Sequence, residues 1–264
     1  MTSAAPPRLA WRLLHSPPLD GASNMAIDHA LHAHTAAARE AVVRVYEWSR
    51  PTLSFGRNQI AGGAYDRTRM AARGIDVVRR PTGGRAVLHH REITYAVAAP
   101  LSLGAALRDA YNRINALLLD ALHRVGVPAT LATTPSAAPL PTAAPCFETP
   151  TRGELVLGGR KLVGSAQWRE GGALLQHGSI LIDDDQSFVA HLLTAPSAPP
   201  PPAATLREAL GRVPAARELA LALLAAVRDR EDADAAECFL DDALAARAAV
   251  LRGHYADPAW TWRR

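Results

Sequence analysis

Lysine is almost absent from this chain. Its 264 residues hold one, Lys161, beside 28 arginines, although lysine is ordinarily among the commonest residues. Where only positive charge is needed, arginine serves equally. A compact, rotatable ammonium beside a reacting group is something a guanidinium cannot copy, so the retained lysine marks a position to watch. Cysteine is also scarce: Cys146 and Cys238 are the pair present, and neither lies in a CxxC motif, which excludes a disulfide scaffold. No apolar run approaches the length of a membrane span. The start, "MTSAAPPRLAWRLLHSPP", has no apolar core of the kind a secretory signal needs. The net charge of +4 is mild and its basic residues are scattered, which argues against nucleic acid as a partner. These absences predict a cytoplasmic protein in a reducing compartment, with no membrane association.

A hydrophobic fraction of 48% supports a real core, and the length suits one domain better than two. After a loose arm over residues 1–10, "SNMAIDHALHAH" favours helix, with Ser23 as its expected cap. "VVRVYEW", "PTLSFG" and "IDVVRR" read as strands, and "DRTRMAARG" as a short helix stopped by Gly74. "AVLHHREITYAVAAP" is extended. Leu107, Tyr111, Ile114, Leu118 and Leu122 recur at helical spacing, between a cap at Ser102 and a stop at Gly126 and Pro128. A proline- and alanine-rich loop precedes Cys146. Gly158–Gly159 and Gly171–Gly172 then separate strand-like runs, a hairpin signal. The expectation is a three-stranded meander with Lys161 near the start of its middle strand. A second proline-rich connector leads to a helical segment, residues 205–252, in which Cys238 is expected to pack. Strands and helices do not alternate strictly, which predicts an α+β fold: a mixed, largely antiparallel sheet flanked by helices. The domain expectation is a single catalytic domain over residues 1–264, with a core at 11–195.

The chemistry-bearing residues cluster in three glycine-rich stretches. "RRPTGGRAVLHH" follows a strand and matches neither a phosphate-binding GxxxxGK[ST] loop nor a dinucleotide GxGxxG loop. Its glycines allow close approach to a ligand, and Arg79, Arg80 and Arg85 could fork onto a phosphate or carboxylate; a plain turn with surface arginines fits the same letters. "KLVGSAQ" and "LLQHGSI" each set small residues within a strand, which marks either a ligand's approach or ordinary sheet packing. Cys146 lies fifteen positions before Lys161, and a thiolate needs a nearby cation. His29, His32 and His34 lack a zinc-binding pattern; His89 and His177 are better placed for a polar pocket.

In the order "NMAID", "RRPTGGRAVLHHREITYAV", "GRKLVGSAQWR" and "LLQHGSI", these stretches resemble the biotin/lipoate protein ligase superfamily. The match is strongest to the cysteine-dependent octanoyltransferases first described in Gram-positive bacteria, where a "CF" pair, here Cys146–Phe147, follows a variable loop. That resemblance implies transfer of an octanoyl group from octanoyl–acyl carrier protein, through a thioester on Cys146, to the lysine of a lipoyl domain or of the glycine-cleavage H protein. Lys161 would favour the thiolate and the oxyanion. Arg79, Arg80, Thr82, Gly83, Gly84, Arg85, Ala86, Val87, Leu88 and His89 would line the acyl pocket, with Gly164, Ser165 and Ala166 and with His177, Gly178 and Ser179. No metal or cofactor is implied, and the family suggests a monomer. His90 departs from the family, where an acidic residue is common.

Other readings are an ATP-dependent lipoate–protein ligase, an octanoyl amidotransferase acting between lipoyl domains, and a non-catalytic acyl- or lipoyl-domain-binding protein. Only the ligase would call for ATP and magnesium. Arg85 stands where ligases commonly carry a third glycine, which counts against that reading.

Overall fold

The computed structural model describes residues 9–104, 106–133 and 152–263. Its centre is a six-stranded sheet. β1 (Ala10–His15), β2 (Glu40–Tyr46), β6 (Glu92–Pro100), β10 (Val163–Glu170), β11 (Ala173–Leu181) and β12 (Ala236–Cys238) lie in the order β10-β11-β6-β2-β1-β12. The β10–β11, β11–β6 and β6–β2 pairings are antiparallel; β1 pairs parallel with both β2 and β12. The expected α+β class, with a mixed and largely antiparallel sheet, is what forms.

Helices cover both faces. α3 (Leu107–Arg124) and α5 (Ala216–Arg230) lie on one side, packed with Trp11, Val43, Tyr95 and Val97. α1 (Gly21–Ala37) and α6 (Asp242–Ala256) lie on the other, with Leu14, Tyr46 and Ala96. On α3 the apolar stripe buries Ile114, Leu117, Leu118 and Leu122. Each contributes about 1.5–3 kcal/mol by leaving water, so packing outweighs the weak intrinsic stability of an isolated helix. None of the helices among the described residues is long and apolar enough to cross a membrane.

Two small sheets flank the centre. β3 (Thr52–Phe55) pairs with β4 (Asp76–Arg79) and β5 (Val87–His89), next to α2 (Arg67–Ala72). β8 (Leu155–Leu157) pairs with β7 (Thr130–Leu131) and β9 (Arg160–Lys161). The chain closes with α4 (Leu206–Leu210) and, after α6, with α7 (Pro258–Thr261).

Several local expectations are corrected. Helix α1 starts at Gly21, because Asp20 rather than Ser23 caps it: its carboxylate accepts the Ser23 amide at 2.8 Å. Ser102 sits in a separate turn, Leu101–Leu103, and α3 is capped at Ala106, whose amide donates to Asp109. The two glycine pairs do make tight turns, since all four residues have positive φ, as a two-residue hairpin requires. The three-stranded meander does not form, because the chain changes sheets at Leu162. β8–β9 belongs to a flanking sheet and β10–β11 to the central one, so Lys161 ends β9 instead of opening a middle strand. The 205–252 segment is not wholly helical. β12 interrupts it, and Cys238 sits on that edge strand opposite Leu14, half-buried beside α6.

Candidate active site

A narrow cavity opens on the α1 side of the central sheet. Its floor comes from four neighbouring strands: Gly164–Ala166 on β10, His177–Ser179 on β11, Thr94 on β6 and Tyr46 on β2. Its other walls are Met25, Trp48, Ser54, Val87 and His89, with Arg80 and Gly84 from the glycine loop. It holds about 420 Å³ of space between atoms, part of it open to solvent.

Two buried histidine networks set the polar parts of this cavity. In the first, His177 Nδ1 donates to Asp28 at 3.0 Å, while Asp28 also accepts from Arg44 at 2.8 Å and from the Tyr46 hydroxyl at 2.9 Å. With Nδ1–H committed to the carboxylate, Nε2 carries the lone pair and accepts the Thr82 hydroxyl at 2.7 Å. Burial would raise the Asp28 carboxyl, but His177 and Arg44 outweigh it and hold it below the usual range. Burial likewise keeps the His177 imidazole below its ordinary value despite Asp28. The network joins α1, β2 and β11 to the glycine loop, and it gives the "NMAID" stretch a physical meaning through Asp28.

In the second, His89 Nδ1 donates to Glu92 at 2.8 Å and Nε2 accepts from the Ser54 hydroxyl at 2.7 Å. Ser54 in turn accepts from Arg80 at 2.9 Å. Trp48 stacks on the His89 ring at 4.0 Å and donates to Thr94, which donates to Glu92. Burial pushes the Glu92 carboxyl up, but His89, Ser179 and Thr94 outweigh it and hold it low. Glu92, Trp48, Thr94 and Ser54 were not singled out from the sequence.

Arg79 and Arg80 spend much of their hydrogen-bonding on backbone carbonyls. Arg79 is fully buried and donates to the carbonyls of Gly56, Arg57 and Gln59 and to those of Trp260, Thr261 and Arg263. Arg80 donates to the carbonyls of Ser54, Gly83 and Arg85, so it braces the loop from inside while lining the cavity. Arg85 is also buried. Ala86 and Leu88 face the flanking sheet's core. Thr82 acts through His177, and Gly83 is followed by Gly84 at φ +95°. Of the ten loop positions, Arg80, Gly84, Val87 and His89 reach the cavity wall; all six on β10 and β11 do so. Gly178 is a packing requirement: a Cβ there would stand 2.4 Å from the Gly164 carbonyl.

Lys161 is buried, and its ammonium lies 2.9 Å from the Glu154 carboxylate, which is equally buried. The hairpin explains the meeting. The turn at Gly158–Gly159 sets Lys161 opposite Val156, and Glu154 shares Val156's face. Glu154 is a residue the sequence reading does not name. Cys146 lies outside the described residues.

A second, wider cavity, about 1010 Å³ of space between atoms, lies between α1, the β10–β11 turn and the α6–α7 segment, walled by His29, His32, Trp168, Tyr255 and Trp260. His32 stacks on Trp168 at 4.0 Å.

The chain belongs to the lipoyl protein ligase A/B catalytic domain family, which matches residues 20–228. It is 42% identical over 195 residues to the octanoyltransferase LipM of Kyrpidia tusciae, covering 71% of each chain. It is 41% identical over 197 residues to the LipM of Moorella thermoacetica, covering 72% of each. Among solved structures, a putative lipoate protein ligase from Thermoplasma acidophilum superposes with a TM-score of 0.76 at 20% identity, over 96% of this chain and 98% of that one. This likeness confirms the fold.

Proposed function

We propose that this protein is an octanoyltransferase of lipoate biosynthesis that works through an acyl-enzyme. The Cys146 thiolate attacks the thioester of octanoyl–acyl carrier protein, the carrier's thiol leaves, and octanoyl-S-Cys146 remains. The ε-amine of a lysine on a lipoyl domain, or on the glycine-cleavage H protein, then attacks that thioester. An amide forms and the Cys146 thiol is released. Two easier steps replace one difficult one. Lys161 supplies the positive charge that favours the thiolate and the oxyanion. The thioester carries the activation, so the reaction calls for neither nucleotide nor metal.

The observation that carries this reading is the narrow cavity, in a chain whose curated relatives are octanoyltransferases. Its floor crosses three strand spacings, about 14 Å at ~4.8 Å each. An extended eight-carbon acyl chain is about 9 Å long, given C–C bonds of ~1.5 Å, and it fits across that floor. Ala166, Val87, Met25 and the Trp48 ring offer it apolar contact.

Intact-mass analysis after mixing the protein with octanoyl–acyl carrier protein tests the reading. A hydroxylamine-labile octanoyl adduct on Cys146, formed without ATP and lost in Cys146→Ser, is the expected result. Acylation of a lipoyl domain that depends on ATP, or that persists in Cys146→Ser, overturns it.

A further inference from the structure

One wall of the acyl cavity brings a serine, a histidine and a carboxylate into line. Side chains alternate across a strand. Leu53 and Phe55 turn into the core of the flanking sheet, so Ser54 between them turns the other way, to the cavity. β5 runs antiparallel beside β3 with Val87 opposite Ser54, and His89, two residues on, shares the face of Val87. The turn after β5 brings Glu92, the first residue of β6, back to the same histidine. All three side chains are buried, and Ser54 and His89 both line the cavity.

The hydrogen bonds run in the sense that nucleophilic catalysis needs. Glu92 accepts the His89 Nδ1–H at 2.8 Å, which leaves the lone pair on Nε2, and Nε2 accepts the Ser54 hydroxyl at 2.7 Å. Trp48, stacked on the imidazole, fixes the plane of the ring. Arg80 donates to the Ser54 Oγ at 2.9 Å, a positive charge beside the atom that gives up its proton. A base within hydrogen-bond reach of a hydroxyl, itself oriented by a third group, is the arrangement that activates a serine. Packing alone asks for none of these groups, and the Cys146 chemistry above assigns none of them a step.

We propose that Ser54, His89 and Glu92 form a second acyl-transfer site in the same cavity, one that hydrolyses medium-chain acyl esters and thioesters. The Ser54 oxygen attacks the acyl carbonyl while His89 Nε2 takes its proton. The bond to the alcohol or thiol breaks, the leaving group takes that proton from Nε2, and an acyl ester on Ser54 remains. Water, entering by the cavity's open side, then attacks this ester. One water proton passes to Nε2 and on to the Ser54 oxygen, and the free fatty acid leaves. The Arg80 guanidinium offsets the negative charge that develops in both steps. No step involves Cys146, so this activity stands or fails separately from the transferase reading.

The test uses the whole chain with Cys146→Ala, which removes the thiol, and takes p-nitrophenyl octanoate and octanoyl–N-acetylcysteamine as probes. Steady release of octanoate from both is expected. Acid quenching is expected to trap an octanoyl adduct that peptide mass maps to Ser54 and that resists neutral hydroxylamine, as an oxygen ester does and a thioester does not. Adding Ser54→Ala or His89→Gln lowers the rate by about a hundredfold, and Ser54→Ala abolishes the adduct. Glu92→Gln lowers kcat by a similar factor and leaves KM within about twofold, because it misorients the base without touching the acyl chain. p-Nitrophenyl acetate, which leaves most of the cavity unfilled, has a kcat/KM lower by about tenfold or more. Should Ser54→Ala fail to fold, the adduct on the unaltered Ser54 carries the proposal. Octanoate release no faster than in buffer, equal release with Ser54→Ala, or an adduct that maps to another residue overturns it. Loss of the Cys146-dependent transfer to a lipoyl domain, by contrast, bears on the transferase reading alone.

Discussion

The Nε2 of His177 accepts the Thr82 hydroxyl at 2.7 Å, and this bond fastens the glycine loop to strand β11. It exists because Asp28 commits the other ring nitrogen to donation. Replacing Thr82 by Val keeps the shape and deletes the donor, leaving a buried acceptor unmet. The expected cost is about 1–3 kcal/mol, measured by urea unfolding. Asp28→Asn, which breaks the buried pair with Arg44, is expected to cost about 3–5 kcal/mol. The order of the two losses is the check: a larger loss in Thr82→Val contradicts the network.

Trp48 and His89 stack face to face at the wall of the acyl cavity. Trp48→Ala empties the space of an indole beside that wall. The variant is expected to gain activity on acyl donors longer than octanoyl, relative to the octanoyl donor. Competition between acyl chains, read by mass, measures the shift; an unchanged preference would place the chain elsewhere.

Acid stability follows from the second cavity. Burial lowers the His29 imidazole to about 4, and His32 and His254 are lowered for the same reason. In the unfolded chain a histidine takes up its proton near pH ~6.5. Between those values the unfolded state binds more protons than the folded one, so stability falls as pH falls from about 6.5 towards about 4. His29→Gln is expected to flatten the melting-temperature profile across that window. A profile of unchanged slope would assign the loss to other groups.

Two glycines of the site are expected to behave oppositely. Gly178→Ala drives a Cβ to 2.4 Å from the Gly164 carbonyl and 2.8 Å from the Tyr95 ring. Such overpacking costs about 1–3 kcal/mol or more. A Cβ on Gly83 would meet nothing within 4 Å, and Gly83→Ala is expected to stay within about 0.5 kcal/mol of wild type. Thermal unfolding of both variants distinguishes backbone crowding from ligand approach as the reason for each glycine.

What could be read from the letters follows from how local each signal is. The hairpin turns were legible because two consecutive glycines at positive φ leave few alternatives. The α3 stripe was legible from its spacing. β1 and β12 were not: "AWRLLH" runs parallel to both its neighbours beneath helices on either face, and "AEC" is too short to show a period. The arginines are ambiguous for a related reason. Nothing in "RRPTGGR" distinguishes a guanidinium offered to a ligand from one that satisfies backbone carbonyls, because the carbonyls of Trp260 and Thr261 are far away in sequence. Glu154 could be found only by combining the hairpin register with the burial of Lys161, and burial is a tertiary property.

Arg79 ties both ends of a long stretch of chain together, since 181 positions separate it from Trp260. Contacts this distant in sequence are made late, after the loop-closure entropy has been overcome. The glycine loop is therefore expected to gain its last anchor only when the α7 segment docks. A chain whose core has already collapsed would still be immature at its catalytic end, and refolding should regain secondary structure before it regains the ability to accept an acyl group.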